Sequence, residues 1–117
     1  MATLTVNSVT KAGVADIGVP MVSADVLGDT VGASSGILIA MTNGDASPHT
    51  LTIAAPAASA VCGSLGALDV DPITLVVAAG DTGFLAVPLG YNDASNNFTW
   101  TYDAITSVTI GVFSIAP

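Results

Sequence analysis

The chain has 117 residues, of which 51% are apolar and 9% are charged, and its net charge at pH 7 is −8. All nine acidic residues are Asp, Lys11 is the only base besides one His, and Glu, Gln and Arg are absent. This inventory excludes nucleic acid as a partner, because neutralising a phosphate backbone requires several Lys or Arg side chains. Short side chains lose little rotamer entropy when a partner covers them, so the composition favours an assembly protein.

Apolar and polar residues alternate with period two in several short windows that are bounded by Gly, Pro, Asn or Asp, which is typical of half-buried strands. The chain therefore predicts an all-β fold, a small antiparallel β-sandwich or jelly roll of about eight short strands. We expect one domain over residues 1–117, with residues 1–12 as an extended N-terminal arm. The strand windows are residues 3–10, 36–42, 50–53, 73–77, 84–89, 98–102 and 107–115, with an irregular or edge strand in 14–27.

Asn43-Gly44-Asp45 follows the 36–42 window, and both Asn and Gly tolerate positive φ. The pattern predicts a chain reversal there, with the 50–53 strand pairing antiparallel to the strand before the turn. Residues 54–68 are rich in Ala, Ser, Gly and Pro without any period, and they predict a long loop across one end of the sandwich.

The chain contains few residues that could act in catalysis. His49 is the only imidazole and Cys62 the only thiol, and we interpret them as a surface-loop His and a buried structural Cys rather than a catalytic pair. Asp69 and Asp71 could form a carboxylate pair, but Asp71-Pro72 is more simply a turn that enters a strand. We therefore expect no enzyme and no cofactor.

Calcium is the more serious metal hypothesis, because carboxylate oxygens are the hard ligands that this chain offers. Asp25, Asp29, Asp69 and Asp71 could converge in loops at one end. The spacing of Asp25 and Asp29 matches no EF-hand loop, however, and isolated Asp residues commonly cap turns. We expect no bound metal.

Phe98, Trp100 and Tyr102 lie at alternate positions, so one face of a strand carries three aromatic rings. Exposed, such a stripe could stack on sugar rings. Buried, it would supply the core of a sandwich that has few other large side chains, and we favour this interpretation. The predicted core comprises Phe98, Trp100, Tyr102, Val108 and Ile110.

The Met1–Val6 stretch has no basic region and no continuous apolar run, so no secretory signal is expected. No window is apolar enough to indicate a membrane span. We expect no membrane partner.

The order of features along the chain carries a resemblance. The features are Ala2-Thr3-Leu4-Thr5-Val6, a Leu/Ile strand into Asn43-Gly44, Thr50-Leu51-Thr52-Ile53-Ala54 before Pro56 and Cys62, the 73–80 strand and turn, Tyr91-Asn92-Asp93, and the 100–109 segment that begins Trp100-Thr101-Tyr102-Asp103. Together they resemble small proteins encoded near the major capsid gene of tailed bacteriophages, several of which look like head decoration, or cement, proteins. The resemblance spans most of the chain. Tyr91 stands where that pattern has an Arg-Phe pair, so an Arg-mediated capsid contact is not carried over.

The resemblance implies a structural virion protein, made in the host cytoplasm, that binds the outer capsid surface after expansion. It would act as a homotrimer at threefold or quasi-threefold positions and clamp neighbouring major capsid protein subunits. From the clean alternation of the N-terminal segment, we expect Leu4, Val6 and Val9 to form the oligomer or capsid interface. The alternative is a β-sandwich carbohydrate-binding or adhesion module of a tail or cell surface, which would use the aromatic strand.

Overall fold

The computed structural model describes residues 1–55, 71–93 and 95–115. Cys62, Asp69 and residues 56–68 of the predicted loop lie outside these ranges. The described residues form strands and no helix, so the all-β expectation is confirmed, and none of them provides a helix that could cross a membrane. The ten strands are β1 (Ala2–Thr3), β2 (Val6–Val9), β3 (Val22–Ser23), β4 (Asp29–Gly32), β5 (Ile37–Asn43), β6 (His49–Ile53), β7 (Ile73–Val77), β8 (Thr82–Val87), β9 (Asn97–Tyr102) and β10 (Val108–Ile115).

The strands make two sheets. The first sheet has the order β1-β4-β9-β6-β7, and the second has the order β2-β10-β5-β8, with β3 also paired to β10. Most pairs are antiparallel, as expected, but β1 runs parallel to β4 and β2 runs parallel to β10. Both parallel pairs involve the N-terminal segment, which enters the first sheet and then crosses to the second.

The chain changes sheets at nearly every connection, and this corrects the hairpin predicted at Asn43-Gly44. β5 pairs with β10 and β8, whereas β6 pairs with β7 and β9 in the other sheet. The connection over residues 44–48 is longer than a two-residue hairpin loop, and Asn43 and Gly44 do not adopt the positive φ that such a turn requires. The chain does turn after Asn43, but the turn connects strands of the two different sheets instead of neighbouring strands of one sheet.

The 14–27 window forms less strand than predicted. Only Val22–Ser23 is extended and paired, through Thr109 and Ile110 of β10. Residues before it make turns, such as the hydrogen bond from the Gly13 amide to the Thr10 carbonyl. Gly and Pro residues in this window account for the interruption.

The core lies between the two sheets. Phe98, Trp100, Val108 and Ile110 are buried, and Tyr102 is partly buried against them. The alternation that placed these side chains on one face follows from the period of two along β9 and β10. Each fully buried side chain of this size contributes about 1.5–3 kcal/mol to folding. The remaining core is aliphatic and comes mainly from β5, β6 and β10, as in Ile37, Ile39, Met41, Leu51, Ile53 and Val112.

Candidate functional site

The N-terminal segment connects the two sheets. β1 pairs with β4 through Ala2 and Thr3, the Leu4 amide donates to the Thr30 carbonyl at 2.8 Å, and β2 then pairs with β10. Of the three residues predicted to form an interface, Leu4 packs against the core and Val9 is half-buried. Val6 is 38% exposed and presents the most side chain to a partner. The segment is thus paired within its own chain in this structure.

A groove of about 380 Å³ lies beside this segment. β2 and β3 pair with the same edge of β10, at residues 112–115 and 109–110 respectively, and Gly111 lies between the two pairings. The groove is lined by Ala2, Thr3, Leu4, Thr5, Asn7, Pro20, Val22, Ile110, Gly111 and Val112. None of these residues is charged, so the groove can hold apolar or extended chain but has no acid or base to offer a reaction.

Gly111 lines this groove at a position that has no room for a Cβ. A Cβ there would lie 3.0 Å from Met21 Cγ and 3.1 Å from the Phe113 ring, closer than side-chain atoms normally pack. Asn7 fixes one wall, because its side-chain amide donates to the Val112 carbonyl at 3.1 Å. The wall and floor are therefore set by packing and by a hydrogen bond to backbone.

His49 is buried, which corrects the expectation of a surface-loop residue. It begins β6 with 5% exposure, and its two ring nitrogens contact carboxylates of different loops: Nε2 lies 2.9 Å from Asp45 Oδ2 and Nδ1 lies 3.3 Å from Asp103 Oδ1. Ionised carboxylates accept and do not donate, so the two contacts favour the protonated ring, in which both nitrogens carry hydrogen. The hydrogen bond to Asp45 raises the pKa of His49, burial opposes this, and Asp103 adds to the increase.

The two carboxylates are also bound by backbone. The Ala46 amide donates to Asp45 Oδ1 at 2.7 Å, and Asp103 Oδ1 accepts from the Thr50 amide at 3.0 Å and from the Ala104 amide at 2.7 Å. The His49 hydrogen bond is the main cause of the lowered pKa of Asp45. This cluster ties the β5–β6 loop to the β9–β10 loop, and its geometry is that of a structural ion pair rather than of a base aimed at a substrate.

A second polar cluster lies inside the core. Trp100 Nε1 donates to the Tyr102 hydroxyl at 2.8 Å, and that hydroxyl donates to Asp29 Oδ2. Asp29 is fully buried, and its Oδ1 has no hydrogen-bond partner among the described residues. Burial is the main cause of the raised pKa of Tyr102, and the hydrogen bond to Asp29 adds to it.

The calcium hypothesis brought Asp25 and Asp29 together, and they are indeed neighbours. The oxygens of Asp25 already have partners, however: Oδ1 accepts from the Leu27 amide at 2.9 Å, and Oδ2 lies 3.3 Å from the amino group of Met1. The Leu27 hydrogen bond is the main cause of the lowered pKa of Asp25. Within the described ranges, no group of three His, Cys, Asp or Glu residues is placed to hold a metal ion.

Charge is separated from the strands. In the ten strands of the described chain the charged or ionisable residues are Asp29, His49 and Tyr102, and none of the three is exposed. Asp25, Asp45, Asp81 and Asp103 lie in loops at the end where β5, β7 and β9 finish, and Asp71 and Asp93 lie at the opposite end. The outward-facing strand positions of the described residues are therefore uncharged.

Sequence reasoning missed both polar clusters. Tyr102 ends the aromatic stripe, and a Tyr hydroxyl at the edge of a core needs a partner, which was the available signal. For Asp29 no signal existed, since its partner is 73 residues away in sequence. A scan of protein-family models and searches of curated proteins and of solved structures found no match to this chain.

Proposed function

We propose that this chain is a structural coat subunit that binds the outer surface of a tailed-phage capsid and reinforces contacts between major capsid protein subunits. The sequence resemblance to head decoration proteins supplies the partner. The physical character of the molecule supports a coat role independently of that resemblance.

The observation that carries the proposal is the absence of exposed charge on the strands of the described residues. Several outward positions of the edge and central strands hold short residues, such as Thr74, Ala86 and Thr101, and the larger Val76 and Phe84 are uncharged. A partner that covers such faces desolvates no charged group and freezes few rotamers, so little of the contact energy is lost. Charged loops at the two ends keep the free subunit soluble.

The sandwich is also well suited to transmit a load. β5 and β10 pair over seven residues, from Ile37 with Ser114 to Asn43 with Val108. The loops at one end are joined by the His49 cluster. A module whose loops are fixed at one end in this way needs less ordering when it binds, and pre-organisation of this kind favours affinity.

The N-terminal segment is our choice for the capsid contact. It includes the interface residues Leu4, Val6 and Val9, and the Val6 side chain is exposed on a strand that ends its sheet. The groove beside it is uncharged and open to an extended segment of a partner. Many copies around a symmetric shell would supply avidity even where each contact is modest.

The alternative, a carbohydrate-binding module, depends on an exposed aromatic strand. Phe98 and Trp100 are 0% and 1% exposed, and the Tyr102 hydroxyl is engaged by Trp100 and Asp29. Stacking on a sugar would require these rings to leave the core. Their burial favours the structural role.

Co-sedimentation with emptied, expanded capsids tests the proposal. The wild-type chain should pellet with the shells to a saturating ratio, and Val6→Asp should reduce retention because it places a charge in the contact. The matched control is Val19→Asp, which adds the same charge at a loop residue that is 80% exposed. A chain that stays in the supernatant at every ratio, or a Val6→Asp variant that decorates as fully as the control, contradicts the proposal or its contact respectively.

A further inference from the structure

Among the residues that the structure describes, β7 and β8 leave two sheet edges unpaired on the same side of the molecule. In the described chain β7 pairs only with β6, and β8 pairs only with β5, so each strand ends its sheet. The turn over residues 78–81 joins them directly, with the Asp81 amide bonded to the Ala78 carbonyl at 3.1 Å. Alternate backbone N–H and C=O groups of both strands therefore point outward along this side.

The two edge strands lack charged residues and internal Pro, two features that often prevent edge pairing. The sequences Ile-Thr-Leu-Val-Val and Thr-Gly-Phe-Leu-Ala-Val contain no charge and no Pro. Val76 is 64% exposed and Phe84 is 53% exposed, while the inward-facing Leu75 and Leu85 are only half-buried. At the other side of the second sheet, in contrast, β2 and β3 cover the edge of β10.

We propose that the open side formed by β7 and β8 is where copies of this chain contact one another, by pairing of these edges and burial of Val76 and Phe84. A strand edge is self-complementary, since its donors match the acceptors of a second copy. Asp81, in the end turn, is the only charged residue between Pro72 and Tyr91. A chain of net charge −8 associates with itself most readily where no like charges are brought together.

Charge also argues against a different occupant. A basic partner would gain electrostatic energy at the acidic loops at the ends of the sandwich, and this side offers it almost no carboxylate. The inference deepens the proposed coat function by naming the surface of self-association, but its test uses the purified chain without capsids.

The test is the mass of the free protein by sedimentation equilibrium. The edge variant is Val76→Asp with Phe84→Asp, and the matched control is Val26→Asp with Leu27→Asp, which adds the same charge at two loop residues that are 72% and 69% exposed. Wild type and control should sediment as oligomers, and the edge variant should sediment at the monomer mass of 11.5 kDa with an unchanged β-sheet circular dichroism spectrum.

If the edge variant does not fold, Val76→Thr with Phe84→Thr removes apolar area without adding charge, and it should weaken association measurably. A monomeric wild type, or an oligomer that both edge variants leave intact, overturns the inference. A monomer that still decorates capsids contradicts only the self-contact. An oligomer that fails to bind them contradicts only the coat function.

Discussion

The buried hydrogen-bond chain from Trp100 through Tyr102 to Asp29 makes a sharp prediction about stability. Tyr102→Phe removes one oxygen that has two duties: it donates to the Asp29 carboxylate and accepts from Trp100 Nε1. A hydrogen bond to a charged group is worth about 1.5–3 kcal/mol, and a buried donor left without a partner costs about 1–3 kcal/mol. We expect the variant to lose roughly 3–5 kcal/mol of folding free energy.

The loss is not relieved locally. Asp29 would retain a single contact, the Asp25 amide at 3.3 Å, and its other oxygen already lacks a partner among the described residues. For a domain of this size, each kcal/mol moves the unfolding midpoint by about 4 °C, so the midpoint should fall by about 12–20 °C. Urea unfolding followed by far-ultraviolet circular dichroism measures the free energy directly, without relying on Trp100 fluorescence, which the substitution itself would alter.

Tyr91→Phe is the matched control. It removes the same hydroxyl from a residue whose oxygen donates to the Asp71 carbonyl at 2.9 Å near the surface. Water can replace that partner, so we expect a loss below about 1 kcal/mol. If the two variants lost the same free energy, the buried chain would contribute no more than a surface hydrogen bond, and our reading of the core would be wrong.

Two further predictions concern the His49 cluster and one close approach of backbone. Because the pKa of His49 is raised above 6.5, its pairing with the carboxylates stabilises the fold fully below that pH, and this stabilisation is lost as the pH rises through the folded-state pKa. The thermal unfolding midpoint should therefore fall as the pH is raised through this alkaline limb, and His49→Gln should make that fall smaller. An identical limb in both proteins would refute the role of His49. Gly28, at φ 94°, would place a Cβ 2.3 Å from the Trp100 carbonyl oxygen, whereas Gly80, at φ 79°, has nothing within 4 Å. Gly28→Ala should lower the free energy of unfolding in urea clearly more than Gly80→Ala, for which backbone strain alone predicts a loss of about 1–2 kcal/mol. Equal losses in the two variants would argue against the close approach at Gly28.

The sequence predicted where strands lie better than how they pair. Alternation located β5, β7, β9 and β10 within a residue or two, because the period of two is a local property of a half-buried strand. Pairing is not local. The residues after Asn43 form a turn in either a hairpin or an arch, and the choice depends on long-range contacts, such as the Asn43 side-chain amide donating to the Val77 carbonyl at 3.0 Å.

In the candidate site, too, the features set by local spacing could be predicted and those set by long-range contacts could not. The aromatic stripe could be assigned to the core from its spacing and from the shortage of other large side chains. The partners of His49 and Tyr102 could not, because Asp103 and Asp29 reach them across 54 and 73 residues of sequence. The open edges of β7 and β8 depend on sheet order, which no single window of sequence reveals.

The all-Asp inventory acquires a physical meaning once sheet order is known. Asp suits turns and disfavours strands, so a chain whose only acid is Asp places most of its acidic residues in the loops, with the buried Asp29 of β4 as an exception. In a sandwich those loops lie at the two ends, and the acidic residues Asp45, Asp81 and Asp103 share one of them. Repulsion between copies is then greatest end to end and least side by side. On our proposal, the same choice of residue that favours solubility would also direct contacts between copies to the lateral edges, where β7 and β8 are unpaired among the described residues.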